Sequence, residues 1–454
     1  SDLSAEALEN FDKQTRGTFS GMGAQIEKKD GQLRIVSPLE DSPAFEAGIM
    51  AGDIIVEIEG ESADQYTLQE AIDQITGPEG TVVKLLIRHP DGEETLVPIT
   101  RQRIDIQTVK GISRDEEGHW NYMLDPEQKV GYIRITQFSE TTAENFKAAM
   151  DQLLENDMEG LILDLRFDPG GLLDAAVKIA DMFVDEGVIV STEGRNSPKR
   201  TINATSQNGL PDFPMVVLLN EFSASASEVL SGALKDNDRA VVLGTRSFGK
   251  GSVQQVVALE GGSGAIKITT AHYYLPSGRN IHRDEGDETW GVDPNDGFYV
   301  AMTDEQRREM LKRRRESDVL RREGNGELVD ITADYVREEL ADPQLAAAIE
   351  TITAKLTDGE WKQIGGEDAT ALAHIAERDL RIRQRDLLLQ RLEEVNQEID
   401  RITKLISDPD ARVDSEVEAD EDAAAVVPAE TAEELEDAAD AVDPDEQEPI
   451  ELPE

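Results

Sequence analysis

PMVVLLNEFSASASEVLSGAL, Pro214–Leu234, is the stretch that decides the fold class. Met215–Leu219 is an apolar run of strand length with no polar alternation, the pattern of a strand covered on both faces. It ends at Asn220 and a turn of small residues. From Ser225 to Leu234 apolar side chains recur at helical spacing. A strand that turns straight into a helix puts the turn at the carboxyl edge of a sheet, beside the helix's unpaired N–H groups. An anion forming there gains from those donors and from the helix dipole. Three serines stand in the turn: Ser223, Ser225 and Ser227. Any of them is also an ordinary helix cap, and spacing alone does not choose between them.

Working outward, Val130–Ile135, Leu161–Leu165 and Ala240–Leu243 are further apolar runs, separated by helix-period stretches at Ala143–Leu154 and Leu172–Phe183. That alternation predicts crossover units on a largely parallel sheet over residues 128–300, within a core expected to span 105–300. Two more segments end on strands. LDLRFDPGG, Leu163–Gly171, closes with two glycines that can bring an N–H close to a substrate carbonyl. AVVLGTRSFGKGSVQ, Ala240–Gln254, leads into a Gly-rich turn carrying Lys250. A partly buried lysine loses its proton more easily than one in water, so Lys250 is a candidate base for a serine hydroxyl. Gly244 and Gly249-Lys250 also have P-loop spacing. However, Gly251 stands where that loop needs Ser or Thr, and Ser252–Leu259 reads as a strand, so nucleotide binding is set aside. A histidine base would have to come from His272 or His282, which sit in a hairpin-like run that reads more simply as structure.

The chain of 454 residues carries a net charge of −50 and no cysteine. The charge argues against nucleic acid, whose binders need Lys and Arg on phosphate, and the missing cysteine excludes a thiol nucleophile and thiolate metal sites. No apolar run approaches the roughly 18 residues of a membrane span. The chain starts at Ser1 and not Met, so a fragment or a processed form is expected. Residues 1–17 read as a lead-in helix. Residues 301–407 are charged and helix-rich, with Leu388, Leu392, Val395, Ile399, Ile402 and Ile406 forming a heptad seam. The seam fits a dimerising coiled coil, hence a homo-oligomer, or a hairpin folded onto the body, or a helix packed on its own chain. Residues 408–454 hold 20 Asp and Glu against Arg412 alone, which predicts a disordered acidic tail.

Residues 18–104 alternate β-rich runs (Leu33–Val36, Ile54–Ile58, Val82–Arg88) with turns and one helix-like stretch, Leu68–Ile75. Gly21-Met22-Gly23 precedes a β-run and can aim N–H groups at a carboxylate. Together with SPAFEAGIMAGDIIVEIEG, Ser42–Gly60, these residues resemble a PDZ domain. The resemblance implies capture of an extended, apolar peptide C-terminus by strand addition, with Gly21, Met22 and Gly23 as the carboxylate loop.

The order PDZ, DLRFDPGG, SASASE, FGKGSVQ resembles the carboxyl-terminal processing peptidases, over about residues 15–300. That implies an α/β (α+β) multidomain chain: a PDZ β-domain with helices, a crotonase/Clp-protease-like catalytic core, and a helical C-terminal extension. It also implies a serine endopeptidase cleaving proteins near their C-termini, without metal or small-molecule cofactor, exported to the periplasm or cell envelope. Carried over by motif, the nucleophile falls on Ser225, three residues before Glu228, and the base on Lys250. Gln254 would orient Lys250, and Gly171 and Ala226 N–H groups would form the oxyanion hole. The chain departs from the family pattern at Phe167-Asp168, where Asn is usual, and slightly at Trp290–Asn295. A PDZ-bearing scaffold with a dead protease fold and a crotonase-like enzyme are the rival readings. Intact Ser225, Lys250 and Gln254 argue against both.

Overall fold

The structure is a computed structural model, described for residues 2–4, 16–115, 118–125, 127–195, 197–205, 209–258, 264–284, 286–321, 330–366 and 368–407. The expected acidic tail, 408–454, and residues 5–15 of the lead-in lie outside the described residues. Two units are present, 1–377 and 378–454.

Within the first unit, residues 24–100 build an antiparallel sheet of strands in sequential order. These are β1 (Ala24–Lys29), β2 (Gln32–Pro38), β3 (Ile54–Ile58), β4 (Val82–Arg88) and β5 (Glu94–Thr100). Helix α1 (Pro43–Glu46) starts at a Ser42 cap, and α2 (Leu68–Ile75) at a Thr67/Glu70 capping box. Leu33, Ile35, Ile55, Ile58, Leu85 and Ile87 form the core under the sheet. The strand β1 pairs only with β2 among the described strands, so its outer edge is open, with α2 beside it.

The second layer of this unit is a sheet with β6 (Val130–Ile135), β7 (Gly160–Asp164), β8 (Met215–Leu219) and β9 (Val241–Gly244), all parallel and in that order. Every residue of these strands is buried, which is why they read as mainly apolar runs without alternation, Arg134 and Asp164 being the two charged exceptions. The crossovers α3 (Thr142–Glu155), α4 (Leu173–Phe183) and α5 (Ala226–Asp236) cover one face through Phe146, Ile179, Val229 and Leu230. After β9 the chain forms the hairpin β10 (Ser252–Ala258) and β11 (Gly264–Tyr274).

Three corrections to the sequence reading follow. Asp2–Ser4 is not helical but a strand paired with β11. The described part of residues 301–377 is helical, as expected, but is built into the core rather than appended to it. Helix α6 (Asp304–Asp318) leads to α7 (Pro343–Asp358), which supplies the sheet's second face with Leu345, Ala346, Ile349 and Ile352 against Ile162, Val216 and Leu218. The surrounding charge hid that stripe. Finally, the heptad seam lies on one continuous helix, α8 (Ala369–Ser407), rather than a hairpin. There Leu388, Leu392, Val395, Ile399 and Ile402 are exposed, and the Ile406 side chain falls outside the described ones.

Candidate active site

Burial separates the three serines that spacing could not. Ser223 is fully buried; its Oγ donates to the Leu165 carbonyl at 2.8 Å and accepts the Asn220 N–H at 3.0 Å. Ser227 is also fully buried, and its Oγ donates to the Asp168 carbonyl at 2.9 Å. Both hydroxyls are spent on bracing the turn against the end of β7. Ser225 alone is partly exposed. Its backbone has φ 57° and ψ −112°, a left-handed conformation that costs a non-glycine residue on the order of 1–3 kcal/mol. The cost is borne where the chain turns from β8 into α5, as expected of a nucleophile elbow.

The glycines of the DPGG turn pack directly on this elbow. A side chain at Gly170 would place its Cβ 2.5 Å from the Ala224 carbonyl and 2.9 Å from the Ala226 nitrogen. A Cβ at Gly171 would meet the Phe138 carbonyl at 2.0 Å. The turn is fixed by Phe138 N–H to the Gly170 carbonyl at 2.9 Å and by Leu172 N–H to the Phe138 carbonyl at 2.8 Å. Neither the Gly171 N–H nor the Ala226 N–H has an acceptor among the described residues. Two unspent donors thus stand beside Ser225.

Lys250 reaches the same place through a residue whose part was underestimated in the sequence. Glu228, on the first turn of α5, is fully buried. Its Oε2 accepts the Ser225 N–H at 2.7 Å and the Lys250 N–H at 2.8 Å. Its Oε1 accepts the Gly249 N–H and the Ser247 hydroxyl, each at 2.6 Å. One carboxylate oxygen therefore joins the main chain of Ser225 to that of Lys250. Burial pushes the Glu228 carboxyl up from its ordinary range, while these donors favour its anion. The signal in the sequence is Ser-x-x-Glu at a helix start, which announces a cap but not a bridge to a second segment. Lys250 is itself partly buried.

Gln254 is exposed on β10, opposite Thr269 and next to a bulge at Val253/Gln254. Its role as partner of Lys250 rests on the resemblance. His272 and His282 lie side by side, ring centroids 4.8 Å apart, with His272 opposite Ser252 and His282 packed where Gly251 lacks a side chain. They buttress the strand after Lys250. In the small β-domain, Met22 is buried in the core. Its carbonyl accepts the Ala44 N–H at 2.8 Å, and the Gly23 carbonyl accepts the Ser42 hydroxyl at 2.8 Å. These bonds hold Gly21-Met22-Gly23 between α1 and the open edge of β1.

Residues 129–296 match the profile of peptidase family S41, and residues 34–89 match that of the PDZ domain. A carboxy-terminal-processing protease of Bartonella bacilliformis is 35% identical over 373 residues, 78% of this chain and 79% of that one. This chain belongs to the S41 peptidases. It is a serine protease with a PDZ domain, and its substrates are proteins. A carboxyl-terminal-processing protease of Synechocystis sp. is 39% identical over 287 residues, 62% of this chain and 64% of that one. Carboxy-terminal processing protease CtpA of Bacillus subtilis is 35% identical, and the chain spans 58% of its length. Among solved structures, a photosystem II D1 C-terminal processing protease is 31% identical over 66% of this chain and 77% of that one, with a TM-score of 0.38. S41 membership agrees with the α/β core, in which the sheet's carboxyl edge gathers the elbow, the DPGG turn and the lysine turn.

Proposed function

We propose that Ser225 is the nucleophile and Lys250 its general base, in an endopeptidase that acts near substrate C-termini. The observation that carries this reading is the shared Glu228 oxygen between a strained, partly exposed serine and a partly buried lysine. Neutral Lys250 takes the proton of the Ser225 hydroxyl while Oγ attacks the scissile carbonyl carbon. The resulting oxyanion accepts from the Gly171 and Ala226 N–H groups, worth roughly 3–4 kcal/mol per donor. Collapse breaks the C–N bond, and the Lys250 ammonium returns its proton to the departing amine. Water, deprotonated by the same lysine, then hydrolyses the ester on Ser225. Gln254 is the residue assigned to orient Lys250.

The open edge of β1 and the partly buried Ala24, Ile26 and Leu68 beside it suit an extended peptide that pairs with β1 and seats apolar side chains against α2. Its terminal carboxylate would lie at Gly21-Met22-Gly23. The test is cleavage of an unstructured protein with an apolar C-terminus by wild type, Ser225→Ala and Lys250→Ala. Both variants are expected to fold and to lose cleavage. Blocking or trimming the substrate's terminal carboxyl should raise KM with kcat little changed. A Lys250→Ala enzyme that cuts at wild-type rate would overturn the base assignment.

A further inference from the structure

The most constrained carboxyl group near the elbow is one the mechanism above does not use. Asp168 opens the DPGG turn and is fully buried. Its Oδ1 accepts the Gly170 N–H at 2.8 Å. Its Oδ2 is buried with no hydrogen-bond partner among the described residues. Its main-chain carbonyl accepts the Ala224 N–H at 3.0 Å and the Ser227 hydroxyl at 2.9 Å. Asp168 thus stands between the oxyanion turn and the nucleophile elbow and is bonded to both.

An ionised carboxylate needs donors on both oxygens when water is excluded. Here one oxygen has a backbone N–H and the other has none. Among the described residues no cation answers the charge either. Arg166, two residues earlier, is spent on Asp164 and Asp342. On α5, Glu228 has both oxygens already occupied by Ser225, Ser247, Gly249 and Lys250. From the turn after β8, Glu221 is bonded to Thr245 and paired with Arg307. We propose that Asp168 is held as a neutral carboxylic acid and is a positioning residue for the oxyanion turn, which its ionisation disables. Burial pushes this carboxyl well above the usual carboxylate range, against the smaller opposing pull of the Gly170 N–H and Ser227.

The consequence for catalysis rests on the Ser225 reading. A charge on Asp168 would lie within three residues of Gly171, whose N–H has to meet a developing oxyanion. It repels that oxyanion and draws water or donors into a packed turn. Activity therefore has two limbs: Lys250 must lose a proton, and Asp168 must keep one. The test is the pH dependence of kcat and KM for wild type, Asp168→Asn and Asp168→Ala, with the infrared carboxylic-acid band recorded at neutral pH. The amide of Asp168→Asn is isosteric and never ionises. It should keep kcat near neutral pH and move the alkaline fall upward by at least about one pH unit. Asp168→Ala removes the acceptor of Gly170, so kcat should fall at least about tenfold with KM little changed. Wild type should show a carboxylic-acid band that Asp168→Asn lacks. Superimposable alkaline limbs, or no such band, would overturn the proposal. A missing band leaves the Ser225→Ala result untouched, whereas an active Ser225→Ala enzyme would remove the nucleophile reading and leave the band standing.

Discussion

At the scale of single residues, Glu228 does the most with the fewest atoms. Four donors converge on the two oxygens of its fully buried side chain. Glu228→Gln keeps the shape but turns one end into a donor that faces N–H groups. Two or more buried donors then lose their acceptor, at about 1–3 kcal/mol each. The turn carrying Lys250 is released from the elbow, and a displacement of ~1 Å is enough to cost on the order of 10²-fold in rate. The expected result is a kcat loss of that size, with a lower denaturation midpoint in the same preparation. A variant with wild-type kcat would show that Glu228 is only a helix cap. This residue also marks where the sequence stopped being legible. Ser-x-x-Glu specifies a local contact, and nothing in the spacing says that Glu228 also holds Ser247, Gly249 and Lys250. The choice among Ser223, Ser225 and Ser227 was closed for the same reason. Only the packed end of β7, where Leu165 and Asp168 offer carbonyls, consumes two of the three hydroxyls.

At the scale of elements, the strands were legible because the sheet is covered on both faces, so β6 to β9 appear as mainly apolar runs, broken only by Arg134 in β6 and Asp164 at the end of β7. Ile54–Ile58, Leu68–Ile75, Val82–Arg88, Val130–Ile135 and Met215–Leu219 form the elements expected of them, to the residue. The helix covering the second face was not recognised. Pro343–Asp358 is an ordinary amphipathic helix in a charged neighbourhood, and no local pattern says which sheet it will cover. Its fit is close: Gly160 on β7 leaves room for Ile352, whose Cδ1 would lie 2.9 Å from a Cβ placed there. Ile352→Ala should therefore destabilise the protein by about 2–5 kcal/mol. Truncating the exposed Leu96 on β5 should change the same unit's stability by less than about 0.5 kcal/mol. Urea titration of both variants checks the contrast. Equal, small effects would mean that α7 is dispensable to the core.

At the scale of the whole molecule, stability against pH is set by buried carboxyls of opposite behaviour. Asp164 is fully buried, which pushes its carboxyl up. Arg166, bonded at 2.7 and 2.9 Å, and Arg314 at 2.9 Å overcome that and hold it below the ordinary range. Asp342, the cap of α7, is likewise pushed up by burial and pulled further down by Arg166 at 2.7 and 2.8 Å. Together these groups tie the end of β7 to α6 and α7. A carboxyl depressed in the folded state binds its proton more weakly there than in the unfolded chain. Its contribution is therefore present above the unfolded value, about 3.9, and disappears as pH falls through the folded one. Asp168 is raised, so its contribution has the opposite sign: complete below about pH 3.9 and lost as pH rises. Superimposed on both is the self-repulsion of a chain with net charge −50, which grows as surface carboxylates ionise. Salt separates the contributions, because at about 0.5 M it screens exposed charges but hardly reaches buried pairs. Melting temperature should fall steeply below about pH 4 at low and high salt alike. Above neutral pH, high salt should recover part of the lost stability, and Asp168→Asn a further part that salt does not touch. If high salt removed the acid limb as well, the Asp164–Arg166–Asp342 cluster would be behaving as exposed charge, and its place as the joint between sheet and helices would have to be given up.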